Sequence, residues 1–417
     1  MKIDVKSLAP LGRRRIDWVE RHMPVLMSIR KDMKRKKMLR GFRIGMALHV
    51  EAKTAALVRT LVAGGADVAI SGCNPLSTKD DIVAALLSDG INVYAWRGQG
   101  TRDYYMNLNR VLDHRPDILI DDGADLITTV HTKRRELLGK IIGACEETTT
   151  GVVRLRAMAR SGKLEFPVIA VNDTPSKHLF DNRFGTAEST LQGIMTATNT
   201  LIAGKEVVVV GYGFVGRGIA SRARGLGAVV TVVEVDPIRA LEAAMDGFRV
   251  ESMNRAAQRG DIFITTTGSI NVIRGEHMRR MKNGAILANA GHFNVEISRG
   301  DLVKLSVSHG KVLEDVEEFR LRDGRRLYLL AEGRLVNLAG ERSLGHPMEI
   351  MDMSFSLQAL SVLYLAEEGK KIRPGVHEVP DHIDRTVAEK KLKSMGITLE
   401  KRTQEQVRYA RTWSEGT

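Results

Sequence analysis

The chain of 417 residues has few of the features that mark secreted or membrane proteins. It has only two cysteines, Cys73 and Cys145, so no disulfide framework is expected and both thiols are predicted to be reduced. No apolar run approaches the ~18 residues of a membrane-spanning helix, and the first residues, Met1–Lys6, lack the apolar stretch of a signal peptide. We therefore expect a cytoplasmic protein that makes no membrane contact.

Aromatic residues are also scarce, at 5% of the chain, and the histidines and cysteines are not spaced like metal ligands. Neither a His-Glu-x-x-His nor a Cys-x-x-Cys motif occurs, so no metal site is expected. Positive charge, in contrast, is in excess: the formal net charge is +13, with basic clusters at 13–15, 30–40 and 390–401. Such clusters are compatible with nucleic-acid binding or with a solvated surface that attracts anionic substrates. Since no RNA-reading motif or zinc-finger spacing accompanies them, we favour the solvated surface and expect no nucleic-acid partner.

Hydrophobic periodicity predicts alternating strands and helices along most of the chain. After a helical region over 15–40, strands are expected at 43–49, 67–71, 91–96 and 118–120, with helices at 52–63 and 82–87. A second alternating region begins near Leu191, with strands at 207–210, 229–233, 261–265, 285–288 and 327–330. Strands that alternate with helices form parallel sheets. The sequence therefore predicts the α/β class, with two doubly wound parallel-sheet domains plus a small helical C-terminal segment.

The second region contains a glycine fingerprint. Four valines, 207–210, are followed by Gly211, Gly213 and Gly216 in the pattern G-x-G-x-x-G. In such a motif the glycines allow a tight turn, a close approach of the backbone to a pyrophosphate, and close packing of a helix whose N-terminus faces the phosphates. Glu234 ends the next strand, at about the 20-residue spacing of a ribose-binding carboxylate. An acidic side chain there favours NAD over NADP, because it repels a 2′-phosphate.

In the first region, polar residues follow the predicted strands. His49, the pair Cys73 and Asn74, and the pair Asp121 and Asp122 all stand at strand ends. Ligands of parallel sheets bind at the carboxyl ends of the strands, so these side chains are expected to face one crevice.

Three further segments are open to two interpretations each. The hydroxyl-rich segment 146–151 suits either a ribose-binding turn or a capped helix start. Lys177 and Asp181, spaced i, i+4, suit either a surface ion pair or a lysine held near a hydroxyl that must lose a proton. His292 and His346 follow glycines and are either structural or catalytic.

Together these segments resemble the S-adenosylhomocysteine hydrolase (adenosylhomocysteinase) family from about Ala47 to about Pro380. The motifs that carry the resemblance occur in family order: 47–49, 71–78, 93–96, 121–123, 146–151, 171–173, Lys177 with 181–182, the glycine fingerprint, 265–268, 291–293 and 331–338.

The resemblance implies a hydrolysis that uses NAD without net redox change. In this family, NAD oxidises the 3′-hydroxyl of a nucleosyl-homocysteine thioether to a ketone, which makes the C4′ proton removable. Homocysteine then leaves by elimination, water adds, and the ketone is reduced again. The implied partners are the nucleoside thioether, homocysteine, and inosine or adenosine, and the implied assembly is a homotetramer.

The resemblance also assigns roles to individual residues. Lys177 resembles the residue that assists removal of the 3′-hydroxyl proton, with Asp181 orienting it. Asp122 and His49 resemble the groups that move the C4′ proton, and His49 the donor to the departing sulfur. His292 completes the implied catalytic set. The implied substrate-binding residues are Glu51, Lys53, Glu147, Lys177, Asp181 and His346. The implied NAD-binding residues are Thr148, Thr149, Thr150, Asn182, Gly211, Gly213, Phe214, Val215, Gly216, Arg217, Gly218, Glu234, Arg239, Ala290, Gly291, His292 and Asn337.

The family resemblance also divides the chain. Residues 1–181, completed by about 346–376, are predicted to form the substrate-binding and catalytic domain. Residues 182–345 are predicted to form a Rossmann NAD-binding domain, and 377–417 a C-terminal oligomerisation segment.

Two departures from the family pattern bear on substrate choice. After His49, the family commonly has Thr and then Glu or Gln where this chain has Glu51 and Lys53. Lys only donates hydrogen bonds and an ionised Glu only accepts them, which suits hypoxanthine, with its C6 carbonyl and N1–H, better than adenine. S-inosyl-L-homocysteine is therefore the expected preferred substrate. The alternative is that both side chains point elsewhere and S-adenosyl-L-homocysteine is bound through backbone groups.

Other departures leave further alternatives open. Arg239 stands where the family often has Asn near the NAD ribose, which reopens NADP, although Glu234 argues against it. The end of the chain lacks the Lys…Tyr-Arg-Tyr pattern with which many family members reach a neighbour's NAD site. An NAD-dependent dehydrogenase with net hydride turnover, or a basic nucleotide-binding regulator without catalysis, are the rival functions.

Overall fold

A computed structural model describes residues 3–414 and contains two sheets flanked by helices. The first part of the chain alternates as predicted. Its strands are β1 Arg43–Leu48, β2 Asp67–Gly72, β3 Asn92–Tyr94, β4 Ile118–Asp121, β5 Gly143–Glu146 and β6 Pro167–Ala170. Its helices are α1 Val5–Arg21, α2 Pro24–Lys36, α3 Ala52–Ala63, α4 Asp80–Ser88, α5 Thr101–Asp113, α6 Asp125–Lys133, α7 Thr149–Arg160 and the short α8 Pro175–Lys177, with 3-10 turns at Arg135–Leu137 and Val171–Asp173.

A π-helix, His178–Gly185, runs into α9, Thr186–Thr198, and leads to the second sheet. The strands there are β7 Glu206–Val210, β8 Val229–Val233, β9 Arg249–Val250, β10 Ile262–Thr265, β11 Ala285–Asn289, β12 Ser306–Leu313, β13 Val316–Leu321 and β14 Arg326–Leu330. The helices are α10 Phe214–Gly225, α11 Pro237–Met245, α12 Met253–Ala256, α13 Gly275–Met278, α14 Arg299–Leu305 and α15 Val336–Ala339, with a 3-10 turn at Ala331–Gly333.

The chain then returns to the first sheet. The long helix α16, Met348–Glu368, packs on β4 and β5 and is followed by a 3-10 turn, Gly369–Lys371. Strand β15, Gly375–His377, pairs with β6, and helices α17, Asp381–Ser394, and α18, Gln404–Tyr409, follow. Asp352 of α16 accepts hydrogen bonds from the backbone N–H groups of Val25 and Leu26 and so anchors the start of α2. Among residues 3–414, no helix is both long enough and apolar enough to span a membrane.

The first sheet is parallel throughout, in the order β15-β6-β5-β4-β1-β2-β3. Its register decides which residues meet. Ala47 of β1 pairs with Asp121 of β4, and Asp121 pairs with Glu146 of β5. The residues that follow these positions therefore emerge at the same edge of the sheet, which explains why the predicted crevice forms there.

The second sheet has the order β12-β13-β14-β11-β10-β7-β8-β9. The α/β class is confirmed, but the expectation of a purely parallel second sheet is wrong at one edge, because β13 runs antiparallel to both β12 and β14. The outermost strand, Ser306–Leu313, is exposed along nearly its whole length. With neither face buried it has no hydrophobic pattern of period two, so periodicity did not reveal the hairpin.

Candidate active site

The carboxyl ends of the two sheets face a common cavity of about 850 Å3. Residues of the first sheet's loops, of the glycine fingerprint and of α16 line it together. Most of the sequence-predicted residues lie on this cavity: His49, Glu51, Lys53, Asp122, Glu147, Thr148, Thr149, Thr150, Lys177, Asp181, Asn182, Gly211, Gly213, Phe214, Val215, Glu234, Arg239, Ala290, Gly291, His292 and His346. Gly216, Arg217, Gly218 and Asn337 are not on its wall, and neither are Cys73, Asn74 and Asp121, which were expected to face the same crevice as His49 and Asp122.

One cluster in the cavity consists of His49, Asp122 and His292. One ring nitrogen of each histidine and one carboxylate oxygen of Asp122 lie within 4.8 Å of one another. Asp122 Oδ2 lies 3.3 Å from His49 Nε2, and Oδ1 lies 3.5 Å from His292 Nδ1. The other ring nitrogen of His49, Nδ1, lies 2.6 Å from Ser77 Oγ, which fixes the ring orientation. A carboxylate between two imidazoles is an arrangement that can move protons.

Burial sets the protonation state of His49 and of the neighbouring Cys73 thiol. Burial lowers the pKa of His49 to about 4, although the charge of Asp122 raises it. His49 is therefore neutral at physiological pH and free to accept a proton. Burial, together with Asp122, also raises the pKa of the Cys73 thiol, whose Sγ donates to Asp122 Oδ2 at 3.5 Å. Cys73 thus stays protonated beside the cluster.

A second cluster surrounds Lys177. Its ammonium donates to Asn182 Oδ1 at 2.8 Å and lies 3.5 Å from Asp181 Oδ1 and 3.7 Å from Glu147 Oε1. The Lys177 side chain is only 6% exposed, so the surface-ion-pair interpretation of Lys177 and Asp181 is wrong. Asn172 Oδ1 accepts from Lys177 at 3.4 Å and completes the cluster.

The charges of this cluster depend on one another. Burial alone would lower the pKa of Lys177, but the carboxylates of Asp181 and Glu147 raise it. Burial alone would raise the pKa of Asp181, but Lys177 and His346 lower it, and His346 Nδ1 lies 3.0 Å from Asp181 Oδ1. Burial raises the pKa of Glu147 to about 8, even though Lys177 lowers it. The cluster therefore combines a firmly charged ammonium with a carboxylate that holds a proton readily.

At the end of the cavity near α3, Glu51 and Lys53 form an ion pair, with Lys53 Nζ 2.7 Å from Glu51 Oε2. Lys53 also donates to the backbone carbonyl of Leu344 at 2.7 Å, and Glu51 accepts the N–H of Thr54 at 3.2 Å. Each side chain thus makes a second hydrogen bond to the backbone, which fixes the positions of the donating ammonium and the accepting carboxylate on the cavity wall. One N–H of Lys53 and free lone pairs of Glu51 remain for a ligand.

The glycine fingerprint forms the remaining wall and fits a dinucleotide. Gly211 has φ +101°, which favours glycine, and a Cβ on Gly216 would collide with the carbonyl oxygen of Gly211. At Gly213, in contrast, a Cβ would meet nothing closer than an Arg239 nitrogen at 3.9 Å, so the backbone lies open to a phosphate. Glu234 accepts the Tyr212 N–H at 2.6 Å and lies on the cavity wall with the fingerprint.

Gly218 and Asn337 have packing partners instead. A Cβ on Gly218 would collide with the carbonyl oxygen of Arg183 in the π-helix, so this glycine permits contact between α10 and that helix. Asn337 is buried and donates to Ser189 Oγ at 3.1 Å.

The model of the S-adenosyl-L-homocysteine hydrolase family matches residues 1–138, and the model of that enzyme's NAD-binding domain matches residues 182–343. S-inosyl-L-homocysteine hydrolase of Methanopyrus kandleri is 60% identical over 99% of this chain and 97% of that protein. The chain belongs to the S-adenosyl-L-homocysteine hydrolase family. Adenosylhomocysteinase of Pyrococcus abyssi is 59% identical over 99% of this chain and 97% of that protein. S-inosyl-L-homocysteine hydrolase of Methanothermobacter thermautotrophicus is 58% identical over 100% of this chain and 99% of that protein.

Membership of the S-adenosyl-L-homocysteine hydrolase family confirms the resemblance stated from the motifs, and the family's NAD-binding domain confirms NAD as the cofactor. The names of the similar proteins divide between the inosyl and the adenosyl substrate at nearly equal identity, so identity alone does not choose between them.

Sequence reasoning missed several polar residues that support the clusters. Ser354 of α16 donates to Asp181 Oδ2 at 2.8 Å, and Gln358 of the same helix donates to Glu147 Oε2 at 2.5 Å. A signal existed, because both stand as buried polar residues inside a largely apolar helix. Buried polar groups of this kind need partners, and here the partners are the carboxylates of the site.

Proposed function

We propose that this NAD-dependent hydrolase of the adenosylhomocysteinase type reversibly cleaves S-inosyl-L-homocysteine to L-homocysteine and inosine, in preference to the adenosyl thioether. The observation that carries the preference is the pair of Lys53 and Glu51, anchored in fixed order on the cavity wall. Hypoxanthine presents an acceptor at C6 and a donor at N1, and adenine presents the reverse. With Lys53 facing C6 and Glu51 facing N1, hypoxanthine gains two charge-assisted hydrogen bonds, whereas adenine places donor against donor.

The cluster around Lys177 and the cluster of His49, Asp122 and His292 act on different parts of the ribose. When bound, NAD supplies the hydride acceptor that makes the 3′ carbon a ketone and later restores it. Lys177 donates to the 3′-oxygen and stabilises its developing negative charge, held in place by Asp181 and Asn182. Because its pKa is raised, the ionised form of Glu147 is a stronger base than an ordinary carboxylate, and this form takes up the proton that leaves the hydroxyl.

The cluster of His49, Asp122 and His292 handles the proton at C4′ and the sulfur at C5′. Neutral His49 is suited to accept a proton and then to deliver it to the departing sulfur, while Asp122 keeps the ring aligned and stabilises its charged form. In the second half of the reaction the same groups activate the incoming water. The family implies this order of events, and the separation of the two clusters in one cavity supports it.

Kinetics on the two thioethers test the purine preference. The purified enzyme, with no NAD added, is expected to release homocysteine from both substrates, with a kcat/KM for the inosyl form at least about 100-fold higher. Lys53→Gln should narrow this difference, because an amide both donates and accepts. A kcat/KM that favours the adenosyl form would refute the assignment. Dependence on a steady supply of added NAD would indicate a dehydrogenase with net hydride turnover.

Three further properties are proposed more broadly. The homotetramer that the family resemblance implies is proposed for this chain. An exposed apolar face on α11, formed by Ile238, Leu241 and Met245 at helical spacing, is suited to a subunit interface, and mass measurement in solution tests the number of subunits. Location in the cytoplasm is supported by two buried, unpaired cysteines. The enzyme is expected to bind small molecules and no nucleic acid, which a gel-shift titration tests.

A further inference from the structure

We propose that Arg154 forms a subsite for the α-carboxylate of homocysteine. This inference rests on the proposed function, because it concerns the amino-acid part of the same thioether. Among residues 3–414, four lysine or arginine side chains line the cavity: Lys53, Arg154, Lys177 and Arg239. Lys53 is engaged with Glu51 and Leu344 at one end, and Lys177 with carboxylates at the ribose position.

The position of Arg154 relates it to the departing sulfur. Its Nη1 donates to the carbonyl oxygen of Gly123, the residue after Asp122. The same Gly123 is so close to His292 that a Cβ on it would collide with Nε2 of that ring. The guanidinium carbon also lies 5.5 Å from the ring centre of Phe293. Arg154 thus lies next to the cluster at which the sulfur is protonated, within reach of a short methylene chain.

The unused edge of Arg154 has the geometry that a carboxylate needs. Nη1 also donates to Asp125 Oδ1 at 2.8 Å, and Asp125 in turn accepts from the hydroxyl of Tyr104 at 3.0 Å. These contacts fix the plane of the guanidinium. Within the described part of the chain, Nε and Nη2 have no hydrogen-bond partner, and the side chain is 35% exposed. This edge presents two parallel N–H donors, the pattern that binds a carboxylate in bidentate fashion.

Thioether synthesis from a nucleoside and a thiol tests the subsite. Two thiols are compared, homocysteine and the analogue in which hydrogen replaces the carboxylate, using whichever nucleoside the enzyme prefers. Arg154→Gln is expected to raise the KM for homocysteine by roughly 10- to 100-fold, the value of a charged hydrogen bond. The KM for the analogue and the KM for the nucleoside should stay near their wild-type values. Arg154→Lys keeps the positive charge but lacks the two parallel N–H donors, so it should give an intermediate KM for homocysteine.

A matched control is Arg160→Gln, an exposed arginine on the same helix α7, which should leave both thiols unaffected. An equal rise in KM for both thiols in Arg154→Gln would indicate a structural role for Arg154 and overturn the subsite. An unchanged KM for homocysteine would overturn it as well. Failure of the wild-type enzyme to join either nucleoside to homocysteine would instead refute the proposed function, and the subsite with it.

Discussion

Replacing Lys177 by Met separates catalysis from stability in this protein. The substitution keeps the apolar stem of the side chain and removes its ammonium, which lies 3.5 Å from Asp181 and 3.7 Å from Glu147. Asp181 keeps its hydrogen bond from Ser354 and its 3.0 Å contact with His346, and burial favours the protonated form of Glu147. The stability cost is therefore expected at the low end for a broken buried ion pair, about 3 kcal/mol.

The loss of activity should be larger and of a different kind. Removing a group that stabilises charge and assists proton transfer costs roughly 10²- to 10⁴-fold in kcat, or about 3–5 kcal/mol of transition-state free energy. Formation of reduced cofactor on addition of the nucleoside, followed by absorbance, should slow to the same degree, since the proposed mechanism has Lys177 act on the 3′-hydroxyl.

Lys391 provides a matched control. It forms an ion pair with the fully buried Asp352, with Nζ 3.0 Å from Oδ2, away from the cavity. Lys391→Met should lower the free energy of unfolding in urea by a similar ~3 kcal/mol but leave kcat within a factor of about two of wild type. Lys177→Met with near-wild-type kcat would refute the role of Lys177, as would an equal loss of activity in both variants.

Two further predictions concern the cofactor and pH. The Gly213→Ala variant should fold normally, because a Cβ there has open space. Its affinity for NAD, measured by calorimetry on cofactor-free protein, should fall at least about tenfold. The control variant Gly225→Ala, on α10, should keep the wild-type affinity for NAD. His49 has a reference pKa of 6.5 and, because of burial, a folded pKa of about 4. Because the unfolded chain binds this proton more tightly than the folded one, protonation favours unfolding. The free energy of unfolding is therefore highest above pH 6.5 and falls by up to about 3 kcal/mol as the pH decreases to about 4. His49→Asn should flatten this part of the urea-stability profile, and an unchanged acid profile would contradict the burial argument.

Much of the fold was predictable from local sequence. Apolar runs such as Val207–Val210 and Val229–Val233 are typical of buried parallel strands, and both lie in strands of the second sheet. The same reasoning failed for the outer hairpin, because an exposed edge strand has no buried face to impose a pattern. Strand pairing and register connect residues far apart in sequence, so periodicity could not supply them.

The candidate site was likewise only partly predictable from local sequence. Individual motifs predicted that Lys177 and Asp181 share a helical face and that acidic residues follow strand ends, and the family's motif order predicted which residues to consider. The partners of those residues come from distant elements: Ser354 and Gln358 reach the site from α16. Polar residues within a largely apolar helix indicate that Ser354 and Gln358 need partners, but the spacing of the chain does not indicate which residues those partners are.

The sequence by itself determined the α/β class, the NAD fingerprint and the family, since each is recorded in local pattern or in the order of motifs. Only the tertiary structure decided the electrostatic state of the site. Burial of Lys177 to 6% exposure, and the pairing of Lys53 with Glu51 and the carbonyl of Leu344, depend on how the two sheets and the returning helix close over the cavity. Desolvation and fixed hydrogen-bond geometry are properties of that enclosure, and they convert the same residues from an ordinary charged surface into a site capable of moving protons.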